Sequence, residues 1–323
     1  MNLSWQTHYA RARNTSGNAI KSTMNLYEQR ASNIHRTWGL VLGFLVVVIA
    51  VGYIISWYYG NPAILYIAVF IAIATNFYAY WQSDTLVLSL NHARPASREE
   101  FFDLYTVTEN LAITAGLPKP KLYIIDDSAP NAFATGRDEN HAVVCATTGL
   151  LAMLTRPELE GVIAHELSHI KNRDILLMTI TVVLAGFVAI VADIFLRMSF
   201  WGGGRTSNNK QGNAILMILA VVGIILAPIA AKLIQLAVSR RREYLADASG
   251  ALLTRYPEGL ASALGKIGSY TVPMRSANTA TAHLFIGDPF GTKLGGASRW
   301  VERMFSTHPP ITDRIKILLA SKA

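Results

Sequence analysis

Residues 165–174 read His165-Glu166-Leu167-Ser168-His169-Ile170-Lys171-Asn172-Arg173-Asp174, and Ile175 opens a run to Ala192 without Asp, Glu, Lys or Arg. On a helix, His165 and His169 lie four residues apart on one face. Their imidazole nitrogens can converge on one Zn2+, with Glu166 beside them to hold a water. Zinc would lower the pKa of that water. Glu166 could take its proton during attack on a carbonyl and pass it to the departing amine. The helix is expected to begin at Thr155, with Glu158 three residues later as a capping-box partner and Pro157 in the first turn.

A hydrolytic zinc site takes three protein ligands, so one more is needed. Glu243 and Asp247 are also four apart, in Arg240-Arg241-Arg242-Glu243-Tyr244-Leu245-Ala246-Asp247. Either carboxylate could ligate zinc while the other orients a histidine. Glu243 is preferred as ligand, with Asp247 behind a histidine.

Composition explains what lies between the two motifs. The chain has 323 residues, of which 51% are hydrophobic and 15% charged, against about 25% charge in a soluble domain. Four stretches carry no Asp, Glu, Lys or Arg: Trp38 to Tyr58, Pro62 to Trp81, Ile175 to Ala192 and Ala214 to Ala231. Each approaches the roughly 20 residues needed to cross a hydrocarbon core. The first pair is joined at Gly60-Asn61-Pro62 into a helical hairpin. Arg11, Arg13, Lys21, Arg30 and Arg36 against one acid, Glu28, hold the leader on the cytoplasmic side. A second hairpin between His169 and Glu243 then returns both to one membrane face. Along straight helices, His169 falls about 9 Å before Ile175 and Glu243 about 18 Å beyond Ala231, near the headgroups.

The formal charge of +8 is read as topology signal and contact with anionic lipid. No folded nucleic-acid motif accompanies it. The spans also lack the paired ionisable residues of a transport pathway. The single cysteine, Cys145, excludes an intramolecular disulfide and a thiolate zinc cage.

The expected organisation is α+β: a four-span helical membrane protein with a cytoplasmic zinc metalloprotease domain containing a small β-sheet. Residues 1–37 form a cytoplasmic leader and 38–81 the first hairpin. Residues 82–174 form the first part of the catalytic domain, 175–231 the second hairpin, and 232–323 the rest of the catalytic domain. Within 82–174, a polar stretch from Gln82 to Ala96 precedes a helix from Ser97 to Gly116. Strands at Lys121 to Ile125, Asn131 to Thr135 and His141 to Thr148 are expected to form an antiparallel sheet.

The run from His165 to Asp174 resembles the catalytic helix of the HtpX family of bacterial membrane-bound zinc metalloproteases, relatives of the CAAX prenyl proteases. Ser239-Arg240 with Glu243-Tyr244 and Ala246-Asp247, Asn131-Ala132-Phe133-Ala134-Thr135-Gly136, Thr281 to Ile286, and His308-Pro309-Pro310 through Arg314-Ile315 are similar to further family motifs. The likeness extends over about residues 35 to 320.

It implies one zinc per chain, held by His165, His169 and Glu243, with Glu166 as catalytic residue. It implies cleavage of misfolded or damaged membrane proteins in the bacterial cell membrane, sometimes alongside an ATP-dependent membrane protease. By the pattern of the prenyl protease relatives, His308 and Arg314 would hold substrate and stabilise the oxyanion. Asn131 would lie on a strand edge that accepts the substrate backbone. The competing expectations are a processing protease for one defined membrane peptide and a non-catalytic, zinc-stabilised membrane scaffold.

Overall fold

The computed structural model describes residues 26–202, 239–278, 280–291 and 309–320, with side-chain burial described to residue 188 in the first stretch. Two long helices open it: α1 (Leu26–Tyr59) and α2 (Ala63–Trp81). Both are long and apolar enough to cross a membrane. α1 begins inside the polar leader, so residues 26–37 continue the first span as helix. Trp38, Leu42, Val46, Tyr53, Ile54 and Trp57 are exposed on α1, as are Tyr66, Ile67, Phe70, Ile73 and Phe77 on α2. A soluble surface rarely leaves so large an apolar patch uncovered, whereas lipid covers it without penalty.

The polar stretch after α2 holds a short helix, α3 (Ser83–Leu90), and an edge strand, β1 (Arg94–Pro95). α4 (Phe102–Ala115) starts later than its capping signal suggests, because the Ser97 hydroxyl accepts from the Glu100 N–H in a separate turn. Strands β2 (Lys121–Ile125), β3 (Ala132–Gly136) and β4 (Ala142–Thr147) follow. The sheet order is β1-β2-β4-β3, and the sheet is mixed rather than antiparallel as expected. β3 and β4 form an antiparallel hairpin, Phe133 opposite Cys145, which inserts β4 beside β2; that pair is parallel, Tyr123 opposite Cys145.

Burial explains why β3 and β4 show no polar alternation, since every residue in both is buried. One face, with Ala132, Ala134, Val144 and Ala146, packs on α4 and α6 (Arg156–Lys171). The other, with Phe133, Val143 and Cys145, packs on α3, Phe285 and α7 (Asp174–Gly202).

A short helix, α5 (Thr148–Met153), links β4 to α6. α6 begins where its capping box predicts: Glu158 Oε2 accepts from the Thr155 N–H at 2.7 Å. It ends at Lys171, and Arg173 adopts a left-handed φ of 60° before α7 starts. His169 and Ile175 therefore lie on two helices rather than along one straight helix. The first half of α7 is buried, Leu176, Leu177, Ile180 and Leu184 packing on Leu40, Phe44 and Ala79 of α1 and α2. The expected fourth span, Ala214 to Ala231, lies outside the described residues. Beyond it come α8 (Arg240–Thr254), α9 (Pro257–Ser269) and α10 (Ile311–Ala320).

Two glycines let the helices around the site approach closely. A Cβ on Gly161 of α6 would stand 2.6 Å from the Leu260 nitrogen of α9, and one on Gly250 of α8 would stand 3.0 Å from the His165 nitrogen.

Candidate metal centre

α6 places His165, Glu166 and His169 in the interior, and α8 brings Glu243 and Asp247 against them; all five side chains are buried. His165 Nε2 lies 3.2 Å from His169 Nε2. Glu243 offers Oε2 at 3.8 Å from His165 Nε2 and Oε1 at 3.6 Å from His169 Nε2. The three residues form a group whose ligand atoms all lie within 4.8 Å of one another. Tetrahedral metal–nitrogen bonds of about 2.0–2.1 Å would set ligand atoms roughly 3.3 Å apart, so the spacing suits a single ion.

The outer nitrogens fix the tautomers. His165 Nδ1 lies 3.0 Å from Asp247 Oδ1, and His169 Nδ1 lies 3.0 Å from Asp174 Oδ2. With Nδ1–H given to a carboxylate, each Nε2 turns a lone pair towards the other ring and towards Glu243. Such a gathering of acceptors is unfavourable unless a positive charge sits between them. Without an ion between them, the acidic neighbours and burial pull the two rings in opposite directions. Burial would lower the His169 pKa, but Asp174 and Glu243 outweigh it and raise it to about 9. His165 is pushed down to about 4 by burial, against the pull of Asp247. The two Nε2 atoms and the Glu243 carboxylate form a donor set that fits a divalent cation.

Glu166 is buried next to His165 on α6. Burial raises its pKa to about 7; His169 and Arg314 oppose the rise, Glu243 adds to it, and the Ala134 backbone amide also faces the carboxylate.

Arg314 is fully buried. Its Nε and Nη2 donate to Asp247 at 2.8 and 2.6 Å, and its Nη1 donates to the Ile286 carbonyl at 3.3 Å. Nη1 also stands 3.7 Å from Glu243 Oε2. Asp247 is held below the usual carboxylate range: burial acts upward, but Arg314 and His165 outweigh it.

Asn131 lies at the start of β3, its amide turned to the chain's own backbone. Nδ2 donates to the Gly287 carbonyl, and Oδ1 accepts from the Gly287 N–H, both at 3.0 Å. The Ile286 N–H donates to the Ala132 carbonyl at 2.9 Å, so residues 286–287 occupy that end of the β3 edge. His308 lies outside the described residues. His141 pairs at the surface with Asp138 at 2.7 Å.

Sequence reasoning assigned no role to Asp174, although it stands in the quoted run. Its signal is subtle: the left-handed Arg173 folds the chain back so that the first residue of α7 reaches His169.

The profile of peptidase family M48 matches residues 98–322. A protease HtpX homolog of Thermoanaerobacter pseudethanolicus is 49% identical over 302 residues, covering 92% of this chain and 98% of that protein. One from Pyrococcus furiosus is 49% identical over 87% of this chain and 93% of its own length. One from Streptococcus gordonii is 40% identical over 91% and 99%. The crystal structure of S. mikatae Ste24p aligns with a TM-score of 0.49 at 18% identity, over 93% of this chain and 67% of that one. The motif-based resemblance is thus carried by nearly the whole length, and the chain belongs to peptidase family M48 as a membrane-bound metalloprotease.

Proposed function

We propose that this chain is a zinc-dependent endopeptidase in which His165, His169 and Glu243 hold one zinc ion and Glu166 moves the protons. The observation that carries this reading is the convergence of three buried ligand atoms, with the buried Glu166 next to His165 on the same helix. Zinc at such a site would acidify a water and polarise the scissile carbonyl.

The chain's own residues supply the rest. Glu166, with a pKa near 7 in the protein alone, is suited to accept a proton from the attacking water and return it to the leaving amine nitrogen. A purely structural zinc site has no need of such a residue. Asp247 and Asp174 keep the two imidazoles in the tautomer that turns Nε2 inward.

Arg314 has two readings. The first makes it, with His308, an oxyanion and substrate group. The second is favoured by its complete burial and its two bonds to Asp247: it braces the carboxylate behind His165. For Asn131, the proposed role is to align a substrate strand along β3. Its hydrogen bonds to Gly287 support a further part in holding the 286–287 segment at that edge.

The proposed architecture has four spans. Catalytic parts 82–174 and 232–323 meet on the cytoplasmic face of a bacterial cell membrane, with hairpins 38–81 and 175–231 in the bilayer. Membrane and unfolded proteins are the proposed substrates, and an ATP-dependent membrane protease is a proposed collaborator.

In detergent, wild type and Glu166→Gln are expected to hold close to one zinc per chain, and Glu243→Ala much less. Glu166→Gln should lose about 10^2-fold or more in cleavage of an unfolded membrane protein. Wild-type cleavage by Glu166→Gln would overturn the proton-transfer role. Full zinc in Glu243→Ala would overturn the ligand set.

A further inference from the structure

We propose that Asn33, near the start of the first membrane helix, is a positioning residue for the metal centre, acting on His169 through Asp174. Asp174 is fully buried. Its Oδ2 lies 3.0 Å from His169 Nδ1, and its Oδ1 accepts from Asn33 Nδ2 at 2.5 Å. Arg242 Nε stands 3.7 Å from that oxygen, beyond hydrogen-bonding distance. A buried carboxylate needs both oxygens bonded to hold one orientation. Without the Asn33 donor, Asp174 would be free to rotate and draw Oδ2 away from the imidazole.

The same Asn33 amide donates to the carbonyl of Asn172 at 3.0 Å. It therefore clasps the turn between α6 and α7 at the place where left-handed Arg173 reverses the chain. A second tie lies one turn earlier on α1, where Arg30 meets Glu139 at 3.1 Å and Glu139 meets Arg173 at 3.5 Å. Asn33 is 1% exposed, which is unusual for a side-chain amide on a helix about to enter lipid. Five residues separate it from Trp38, about 7.5 Å along the helix. The first membrane helix is thus part of the catalytic unit, and the end of the leader carries a role beyond topology.

This inference rests on His169 being a metal ligand. The test uses the full-length chain in detergent, as wild type, Asn33→Leu, Asn33→Ala and Thr37→Val. Leucine keeps the branched shape and heavy-atom count of asparagine, though it is bulkier, and the alanine variant controls for its size. Thr37 is also buried on α1 but donates only to the Asn33 carbonyl. Zinc affinity is read by chelator competition, the ligand field by the visible spectrum of the Co2+-substituted protein, and turnover as kcat and KM separately.

Both Asn33 variants are expected to bind zinc about tenfold more weakly, to show altered cobalt bands, and to lose kcat with little change in KM. Thr37→Val should match wild type. Wild-type zinc affinity and cobalt spectrum in folded Asn33→Leu would overturn the proposal. So would an equal loss in Thr37→Val, which would point to the helix rather than the amide. Failure of both Asn33 variants to fold would assign the residue to folding and overturn it too. Absence of zinc and cobalt binding in wild type would instead overturn the metal site itself, a result distinguishable from the others.

Discussion

Asp247 Oδ1 receives two donors, His165 Nδ1 at 3.0 Å and Arg314 Nη2 at 2.6 Å. The residue therefore has two separable duties: it orients a ring and neutralises a buried guanidinium. Asp247→Asn is expected to weaken zinc binding 10- to 100-fold. It also leaves Arg314 with less countercharge, a loss of about 3 kcal/mol in stability. Replacing both partners, as Asp247→Leu with Arg314→Met, should recover most of the stability, because an apolar pair leaves no buried charge unpaired. Zinc affinity should stay low, since His165 Nδ1 still lacks its acceptor. Thermal unfolding and chelator competition on the two variants check this, and equal recovery of both properties would sink the separation. His165, Glu166, His169, Glu243 and Asp247 were legible in the sequence because helical spacing of four puts side chains on one face. Asp174 and Asn33 were not, because one depends on a left-handed turn and the other on how α1 docks, neither of which is a periodic signal.

At the level of elements, the same contrast recurs. The start of α6 could be read from Thr155 and Glu158, whose bonds are local. Burial acts to raise the Glu158 pKa, but hydrogen bonds from Lys266, Ser262 and Thr155 hold it down to about 2. A carboxylate depressed in the fold stabilises it fully above the unfolded value, about 4.3, and loses that contribution as pH falls towards 2. Glu158→Gln should therefore lower stability by about 1–2 kcal/mol near pH 7, and the difference from wild type should shrink between pH 5 and 2. Unfolding curves across that range would show it. The sheet direction was not legible, because the hairpin β3–β4 looks the same in sequence whichever side β2 joins. Helix contacts give a further prediction. Alanine gains about 1 kcal/mol over glycine inside a helix, while overpacking costs about 1–3 kcal/mol. At Gly161 the 2.6 Å approach to backbone should make the clash win, so Gly161→Ala lowers the Tm with little effect on zinc. At Gly250 the milder 3.0 Å approach should nearly cancel the helix gain. The strain there falls on His165, so Gly250→Ala should weaken zinc binding with a small change in Tm.

Across the whole molecule, the membrane hairpin and the metal centre share a fixed geometry. Trp38 stacks with Tyr80 at 6.2 Å, and Arg137 lies 4.8 Å over the Trp81 ring, so one aromatic girdle borders the catalytic part. Trp57, Tyr58 and Tyr59 form the opposite girdle, exposed beside the Gly60 turn. The twenty steps from Trp38 to Tyr58 rise about 30 Å, the thickness of the hydrocarbon core. With α1 crossing fully, Asn61 and the catalytic part lie on opposite faces. The native cysteine makes this testable without a cysteine-free background. Cys145 is buried in the sheet, and burial pushes its thiol well above the usual range, so it should stay silent towards labels. In intact cells, a membrane-impermeant maleimide should label Asn61→Cys, and also Ser207→Cys between the proposed third and fourth spans. Asp126→Cys, replacing an exposed side chain beside β2, should react only after the membrane is opened. Labelling of Asp126→Cys from outside would invert the proposed orientation. Protection of Ser207→Cys in cells, with labelling after lysis, would mean that the second hairpin enters the bilayer without crossing it. That result would still return Glu243 to the side of His165, because a re-entrant hairpin, like two full crossings, ends on the face where it began.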